Sequence, residues 1–329
     1  MRCWPIFLLL IFIPSRGHLF SQHISFFTPA DTLDKHRFWI SAGGGTLAYT
    51  GVMAGLVQAW YADTKRTPFH TFDDWGEWQH MDKYGHVITA YQESRWLTQG
   101  ARWTGMNRRR ALWLGTGSAF LLQSSVEILD GFSAKWGFSW WDMAFNSAGC
   151  GLFAAQDILW NEQRISIKTS SFPVRYPEDV ITSSDGLFQT TLSERAQQLY
   201  GNNWATQYLK DYNARTFWLS VNPASFCPQK PNWLPAWINV AVGVGAENMF
   251  EGYGYSWEDD KSGAHYHRDQ NAYPRRSSVY LSWDVDLTRI HVRHPFWRSV
   301  LHGLNFIKIP GPALEFRSDG LFKGHWMYF

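Results

Sequence analysis

The sequence is poor in the residues that usually announce a chemistry. It has only three cysteines in 329 residues, Cys3, Cys150 and Cys227, and no CxxC pair. That excludes a disulfide framework and a cysteine-built zinc site, and leaves at most one Cys150–Cys227 bridge. No GxSxG, GxxxxGK[ST] or HExxH occurs, so the nucleophile elbow, the P-loop and the zincin helix are absent. No basic tract interleaves with aromatics and the net charge is only +2, so nucleic acid is not expected as a partner. No internal repeat is visible. Aromatic residues, by contrast, are abundant: 20 Trp, 14 Tyr and 23 Phe. Tryptophan is favoured where one edge of the ring is apolar and the other wet, as at membrane interfaces and sugar sites. A Trp-heavy core is the plainer alternative.

Residues 1–22 have the pattern of a signal peptide. Arg2 is a short positive region, residues 4–13 are an apolar stretch too short to span a bilayer easily, and residues 14–17 end it. Ser21 offers a cleavage point, although Leu19 fits the small-x-small rule poorly. No cysteine follows the apolar stretch, so a lipoprotein anchor is not expected. The segment predicts export to the cell envelope, membrane-associated or periplasmic, with an uncleaved N-terminal anchor as the alternative.

Hydrophobic periodicity then predicts four helices, over residues 38–61, 81–103, 107–129 and 140–160. The first is apolar and long enough to cross a bilayer, and Gly44, Ala48, Gly51 and Gly55 lie on one stripe that would admit a close neighbour. The second carries Asp82, Lys83, His86, Glu93 and Arg95, which are costly in lipid. Residues 164–193 are rich in Ser, Thr, Pro and Asp and have the composition of a linker. Residues 193–213 suggest one amphipathic helix capped by Ser193. Beyond it, period-two runs around Phe217, Val242 and Leu281 predict half-buried antiparallel strands, about five in all. The expected fold is α+β: a signal peptide (1–22), a four-helix bundle with a polar core (36–163) that is either embedded in a membrane or packed in the periplasm, a linker (164–193), and an amphipathic helix with a small antiparallel β-rich region (194–329).

The polar residues of the bundle are few and placed in stripes. Asp82 and His86 share a face of the second helix with Thr89 and Glu93, and Tyr91 and Arg95 form a second pair. The third helix carries Gln123, Glu127 and Asp130 on one stripe. The fourth carries Asp142 and Asn146 one turn apart, then Gly149, which would allow a close backbone approach. Lone buried charges are too costly to leave unpaired, so these stripes should converge, with Lys83 and Arg95 supplying positive charge. A register-fixing network, a pocket for a polar ligand and a His/carboxylate catalytic centre all fit this pattern. No metal motif is present. The stretch containing His265 and His267 has the character of a solvated loop pair.

The run Asp82-Lys83-Tyr84-Gly85-His86 with Tyr91 resembles uncharacterised bacterial envelope proteins of the YfiM type, predicted periplasmic lipoproteins. A second run strengthens the likeness: Glu127, Asp130-Gly131-Phe132, Gly137-Phe138-Ser139, Asp142, Asn146 and Gly149. The skeleton is also distantly similar to VanZ-like membrane proteins, in which DKxxH and DxxxNxxG runs lie on different helices. The chain departs from both by its long β-rich C-terminal region, and from the lipoproteins by the missing lipobox cysteine. The resemblance implies an envelope location and a shared polar core, and supplies no reaction. The expected function is a non-enzymatic envelope protein whose polar pocket binds a lipid, glycan or protein partner, the C-terminal sheet offering a protein-docking surface. The alternative is an envelope hydrolase of phosphoester or lipid-linked substrates using the His/carboxylate cluster, with or without a metal. No catalytic residue is assigned and no cofactor is expected.

Overall fold

The computed structural model describes residues 26–61, 64–229 and 233–329. The signal-peptide reading, with Cys3, lies outside the described residues. Helix α1 (Lys35–Leu56) is capped by Asp34, whose carboxylate accepts from the His36 and Arg37 amides. It is followed by α2 (Met81–Trp103), α3 (Arg108–Asp130), capped by Asn107, and α4 (Trp140–Trp160), capped by Ser139. The bounds of α2 and α4 are those the hydrophobic period predicts.

Helices α2, α3 and α4 form the packed unit. Their backbones approach where side chains are absent. A Cβ at Gly149 would lie 2.4 Å from the Val87 carbonyl oxygen, and one at Gly115 would lie 2.5 Å from the Thr98 amide nitrogen. Neither obstacle is a flexible side chain. We therefore expect Gly149→Ala to lower stability by roughly 1–3 kcal/mol through overpacking. An unchanged urea midpoint would show that α2 and α4 do not meet this closely.

Helix α1 corrects two expectations. None of its residues is buried, and a Cβ at Gly44, Gly51 or Gly55 would meet nothing within 4 Å. The small-residue stripe is therefore not a packing face among the described residues. Nor is any described helix long and apolar enough to cross a membrane. In α1 the apolar run is diluted by Ser41, Thr46, Tyr49 and Thr50. The helix is tied to the bundle by the Tyr49–Ser125 hydroxyl contact (2.6 Å) and, past its end, by Tyr61, which donates to Asp130 Oδ1 (2.7 Å).

The span with linker composition contains strand β1 (Ile165–Ser171), followed by a two-stranded pair, β2 (Val180–Thr182) and β3 (Gln189–Thr191). The single expected amphipathic helix is two, α5 (Leu192–Tyr200) and α6 (Trp204–Lys210). Gly201, at φ +83°, breaks them apart. Thr191, not Ser193, caps the first in a capping box with Glu194. The remaining strands are β4 (Arg215–Val221), β5 (Ile238–Glu247), β6 (Ser256–Glu258), β7 (His265–His267), β8 (Arg276–Val285), β9 (Gly311–Arg317) and β10 (Phe322–Tyr328), with α7 (Pro295–Leu304) before β9. Six of them form one antiparallel sheet in the order β1-β4-β5-β8-β9-β10. The pair β6–β7 places His265 and His267 on a short strand rather than in a loop.

The sheet is amphipathic in the reverse of the usual sense. One cross-strand row runs Ile167–Leu219–Val242–Leu281–Leu314. Ile167 is covered by the helices, in a core with Met81, Ile88, Tyr91, Phe153 and Phe217. The row then emerges: Val242 is 44% exposed, Leu281 43% and Leu314 41%, and neighbouring Trp283 reaches 58%. The adjacent row, Lys168–Trp218–Gly243–Tyr280–Glu315, is buried. Lys168 and Asp284 pair there at 2.8 Å with fully covered side chains. Gly243 leaves room for the Trp218 indole, which a Cβ would meet at 2.7 Å. The sheet curls around this polar interior. Thr216 of β4 meets the Tyr328 hydroxyl of β10 at 3.2 Å, and the segment after α7 bridges back to β1 through Thr169 and Ile307. A sheet with one face in water normally buries the apolar side and exposes the polar one.

Cys150 and Cys227 are both free thiols, so the single bridge that the cysteine count allowed is not formed.

Candidate functional site

The N-terminal ends of α2 and α4 and the C-terminal end of α3 bring the polar stripes together. Lys83 lies at the centre, with a fully buried side chain. Its Nζ donates to Asp74 Oδ2 (2.5 Å), Asp142 Oδ1 (2.6 Å) and Asp82 Oδ2 (3.1 Å). Ser139 fixes two of these acids at once. Its hydroxyl oxygen accepts from the Asp142 amide (3.1 Å), capping α4, and its proton goes to Asp74 Oδ1 (2.6 Å). Tyr212 donates to Asp82 Oδ1 (2.7 Å) from the far side of the sequence.

The start of α2 is held by an unusual backbone. Trp78, Gln79 and His80 all have positive φ, 50°, 52° and 64°. Each left-handed non-glycine residue costs roughly 1–2 kcal/mol. The turn is held by its surroundings: the Trp78 amide donates to the Gly252 carbonyl (3.0 Å), and its indole packs on Tyr200 and Tyr212. The C-terminal region therefore helps to aim Asp82 and Lys83.

Beside Lys83 stands the His86 ring. Its Nδ1 is 3.1 Å from Asn146 Oδ1. Its Nε2 faces Glu127 Oε1 and Asp142 Oδ2, each at 3.6 Å, and Asp82 Oδ1 at 3.9 Å. Burial alone would lower the His86 pKa, but these three carboxylates raise it to about 9. Burial, then the neighbouring negative charges, pushes Glu127 up to about 8 and also raises Asp142, although His86 opposes both shifts. Burial would raise Asp82 too, but His86 and Lys83 outweigh it and hold its carboxyl below the usual value. For Lys83, burial opposes the charged form and the surrounding carboxylates prevail, so its pKa is raised. Asp130 is raised to about 6 by burial.

The predicted residues thus divide. Asp82, Lys83, His86, Glu127, Asp142 and Asn146 converge, and Asp130, at the end of the same α3 stripe as Glu127, accepts from Tyr61 instead. Tyr91 and Arg95 do not join. The Tyr91 hydroxyl donates toward Gln163 Oε1 (3.1 Å) and the Ile165 carbonyl (3.0 Å), linking α2 to β1. Arg95 is buried near the Gly303 carbonyl at 3.5 Å and supplies no charge to the cluster. Nine residues at 100° each put Tyr91 roughly half a turn from Asp82, so Tyr91 and Arg95 are rotated away from the Asp82–His86 stripe. Asp74, Ser139 and Tyr212 complete the cluster without having been expected. Ser139 had a legible sign, a serine three residues ahead of Asp142 at a helix start. Tyr212 had none.

The cluster is a nearly closed knot. The His86 side chain is 16% exposed and that of Asp82 21%, and the other acids are covered. Two surface cavities lie elsewhere, one lined by Arg175, Tyr176 and Glu178, the other by Asp179, Arg268 and Tyr273.

Glu93, two turns along α2 from His86, has a carboxylate oxygen buried without a hydrogen-bond partner. Burial raises its pKa to about 7, against a small opposing contribution from Gln123. A carboxyl raised in the folded state gives stability that is complete below its unfolded value, near 4.5, and is lost as pH rises through about 7. Glu93→Gln should therefore stabilise the protein at pH 8 by roughly 1–3 kcal/mol and leave it unchanged at pH 4. Urea midpoints at the two pH values check this. An equal effect at both would show that ionisation of Glu93 is not the cause.

Residues 72–158 match the model of a family described as predicted periplasmic lipoprotein (DUF2279). The match spans the loop with Asp74 and helices α2 to α4, and so contains the cluster except for Tyr212. It supports an uncharacterised envelope family, and the protein is an exported, periplasmic component of the cell envelope. No curated protein and no solved structure matches the chain.

Proposed function

We propose that the protein is a non-enzymatic cell-envelope component that seats the outward face of its C-terminal sheet against lipid, with the bundle cluster as the lock that holds its helices. The carrying observation is the reversed sheet, with Val242, Leu281, Trp283, Leu314 and Phe316 outside and the Lys168–Asp284 pair inside. Apolar-out and polar-in alternation is what strands in a bilayer require. At ten residues each, β5 and β8 have about the length of a membrane-crossing strand. Helix α7 adds exposed Phe296 and Trp297 beside Arg293 and Arg298, and no acidic residue occurs between Asp286 and Glu315. A basic amphipathic helix of this kind suits an anionic headgroup layer. Large apolar side chains are also exposed on the bundle, among them Leu121, Trp140 and Leu159.

A lipid partner is preferred to a glycan because the exposed face is aliphatic as well as aromatic. The non-enzymatic reading is preferred to the hydrolase because the cluster is nearly closed and Lys83 occupies three of its acids. The likeness to the YfiM type, and distantly to VanZ-like proteins, rests on cluster residues and fits either reading. Fractionation tests the proposal: the protein should stay in the membrane pellet through high salt and alkaline carbonate. Release by salt alone would sink it.

A further inference from the structure

The spacing around His86 is one that hydrogen bonding does not explain. An amide oxygen only accepts, so His86 Nδ1 donates to Asn146 Oδ1, and once the ring gives up its Nε2 proton that nitrogen offers a lone pair. That lone pair faces three carboxylate oxygens at 3.6, 3.6 and 3.9 Å, beyond hydrogen-bond length. Each carboxylate is held by its other oxygen. Asp142 Oδ1 and Asp82 Oδ2 accept from Lys83, and Glu127 Oε2 accepts from the Ser139 amide. The remaining oxygens are turned toward Nε2, that of Asp82 also accepting from the Tyr212 hydroxyl. Glu127 is 1% exposed, and its Oε1 has no hydrogen-bond partner.

Of these three oxygens Asp82 Oδ1 alone has a hydrogen-bond donor, the Tyr212 hydroxyl at 2.7 Å, and a cation taking the place of the His86 Nε2 proton would meet that nitrogen and all three oxygens. Zinc bonds to nitrogen and oxygen of about 2.0–2.2 Å in a tetrahedron place neighbouring donor atoms roughly 3.3–3.6 Å apart. The oxygens of Glu127 and Asp142 stand at that distance from Nε2, and Asp82 is slightly beyond it. Asp82, His86 and Asp142 lie mutually within ligating range, and Glu127, whose Oε1 is 3.6 Å from Nε2, would have to move closer to the others to join them as the fourth ligand. The surroundings have the form of an outer shell: Asn146 fixes the imidazole tautomer, while Lys83 and Tyr212 orient the acids. Four carboxylates, with Asp74, are opposed by the one permanent cation of Lys83. Partial exposure of Asp82 and His86 leaves a way in.

We propose that Asp82, His86, Glu127 and Asp142 form a binding site for one divalent transition-metal ion, of the zinc class, clamping α2, α3 and α4 together. The full-length protein, stripped with a chelator and dialysed, should take up one Zn²⁺ per chain in calorimetric titration, and its melting temperature should rise. Cobalt(II) should give the visible absorption of a four-coordinate site. Glu127→Gln, which preserves volume, should weaken binding by on the order of tenfold or more. His265→Ala should leave binding intact. The proposal is overturned if the stripped protein takes up no ion and gives no cobalt spectrum. It is equally overturned if binding survives both Glu127→Gln and Asp142→Asn, or is abolished by His265→Ala. Should the bundle variants not fold, the cobalt spectrum and the melting shift of the unaltered protein decide.

Discussion

Replacing Lys83 by methionine should lower stability by about 3–5 kcal/mol, the cost of leaving buried charge without its partner. Lys83 is fully covered and is the hydrogen-bond donor shared by Asp74, Asp82 and Asp142. Methionine fits the space but offers no donor, so three acids would stand close together in a poorly solvated site. They could escape only by protonation or by opening the bundle. The defect should therefore shrink as pH falls and the acids take up protons. The double variant with Asp74→Asn should lose less than the sum of the single variants, because the two residues share one interaction. Denaturant titrations of the four proteins measure this. A loss under about 1 kcal/mol would mean that water reaches the acids and that the cluster is not a lock.

Leu281→Arg should be the most damaging single change on the sheet's outward face, and damaging only if that face meets lipid. At the midplane of a bilayer, an arginine on a lipid-facing strand position costs about 2–4 kcal/mol. On a water-facing strand the same change falls within about 0.5 kcal/mol of neutral. Leu281 is 43% exposed, so the substitution disturbs little internal packing. Its neighbour supplies the control. Ser282 points inward, 6% exposed, and donates to the Pro312 carbonyl at 2.8 Å. Ser282→Arg should destabilise the protein in any surroundings, whereas Leu281→Arg should reduce the membrane-associated fraction and leave the detergent-free helical bundle folded. Equal tolerance of both substitutions would contradict the sheet register. Tolerance of Leu281→Arg alone, in the membrane fraction, would contradict lipid contact.

Much of this molecule is legible in its sequence, and the unread parts have physical reasons. The limits of α2 and α4 follow from apolar period and from caps such as Ser139. Most of the cluster was legible because polar residues in otherwise apolar helices must find one another. Asp74 and Tyr212 were not, since neither sits on a helix of the bundle, and Tyr212 is 130 positions from its partner Asp82. Arg95 was misplaced by one helical face. Alternation in β5 and β8 marks strands, but a period of two does not say which side faces inward. That choice depends on the solvent. Valine, leucine and tryptophan outside with lysine and aspartate inside suit a hydrocarbon surrounding and are costly in water.

The proposed lipid contact requires a sheet that is turned inside out. Single nitroxide labels at positions 279 to 284 test it directly, placed in a background where Cys3, Cys150 and Cys227 are serine and read in membranes by collision with oxygen and with a water-soluble nickel chelate. Positions 279, 281 and 283 should be reached by oxygen and shielded from nickel, alternating with 280, 282 and 284, which should be protected from both. Nickel access at 279, 281 and 283 equal to that of a label on an exposed loop would place the outward face in water and rule out lipid contact.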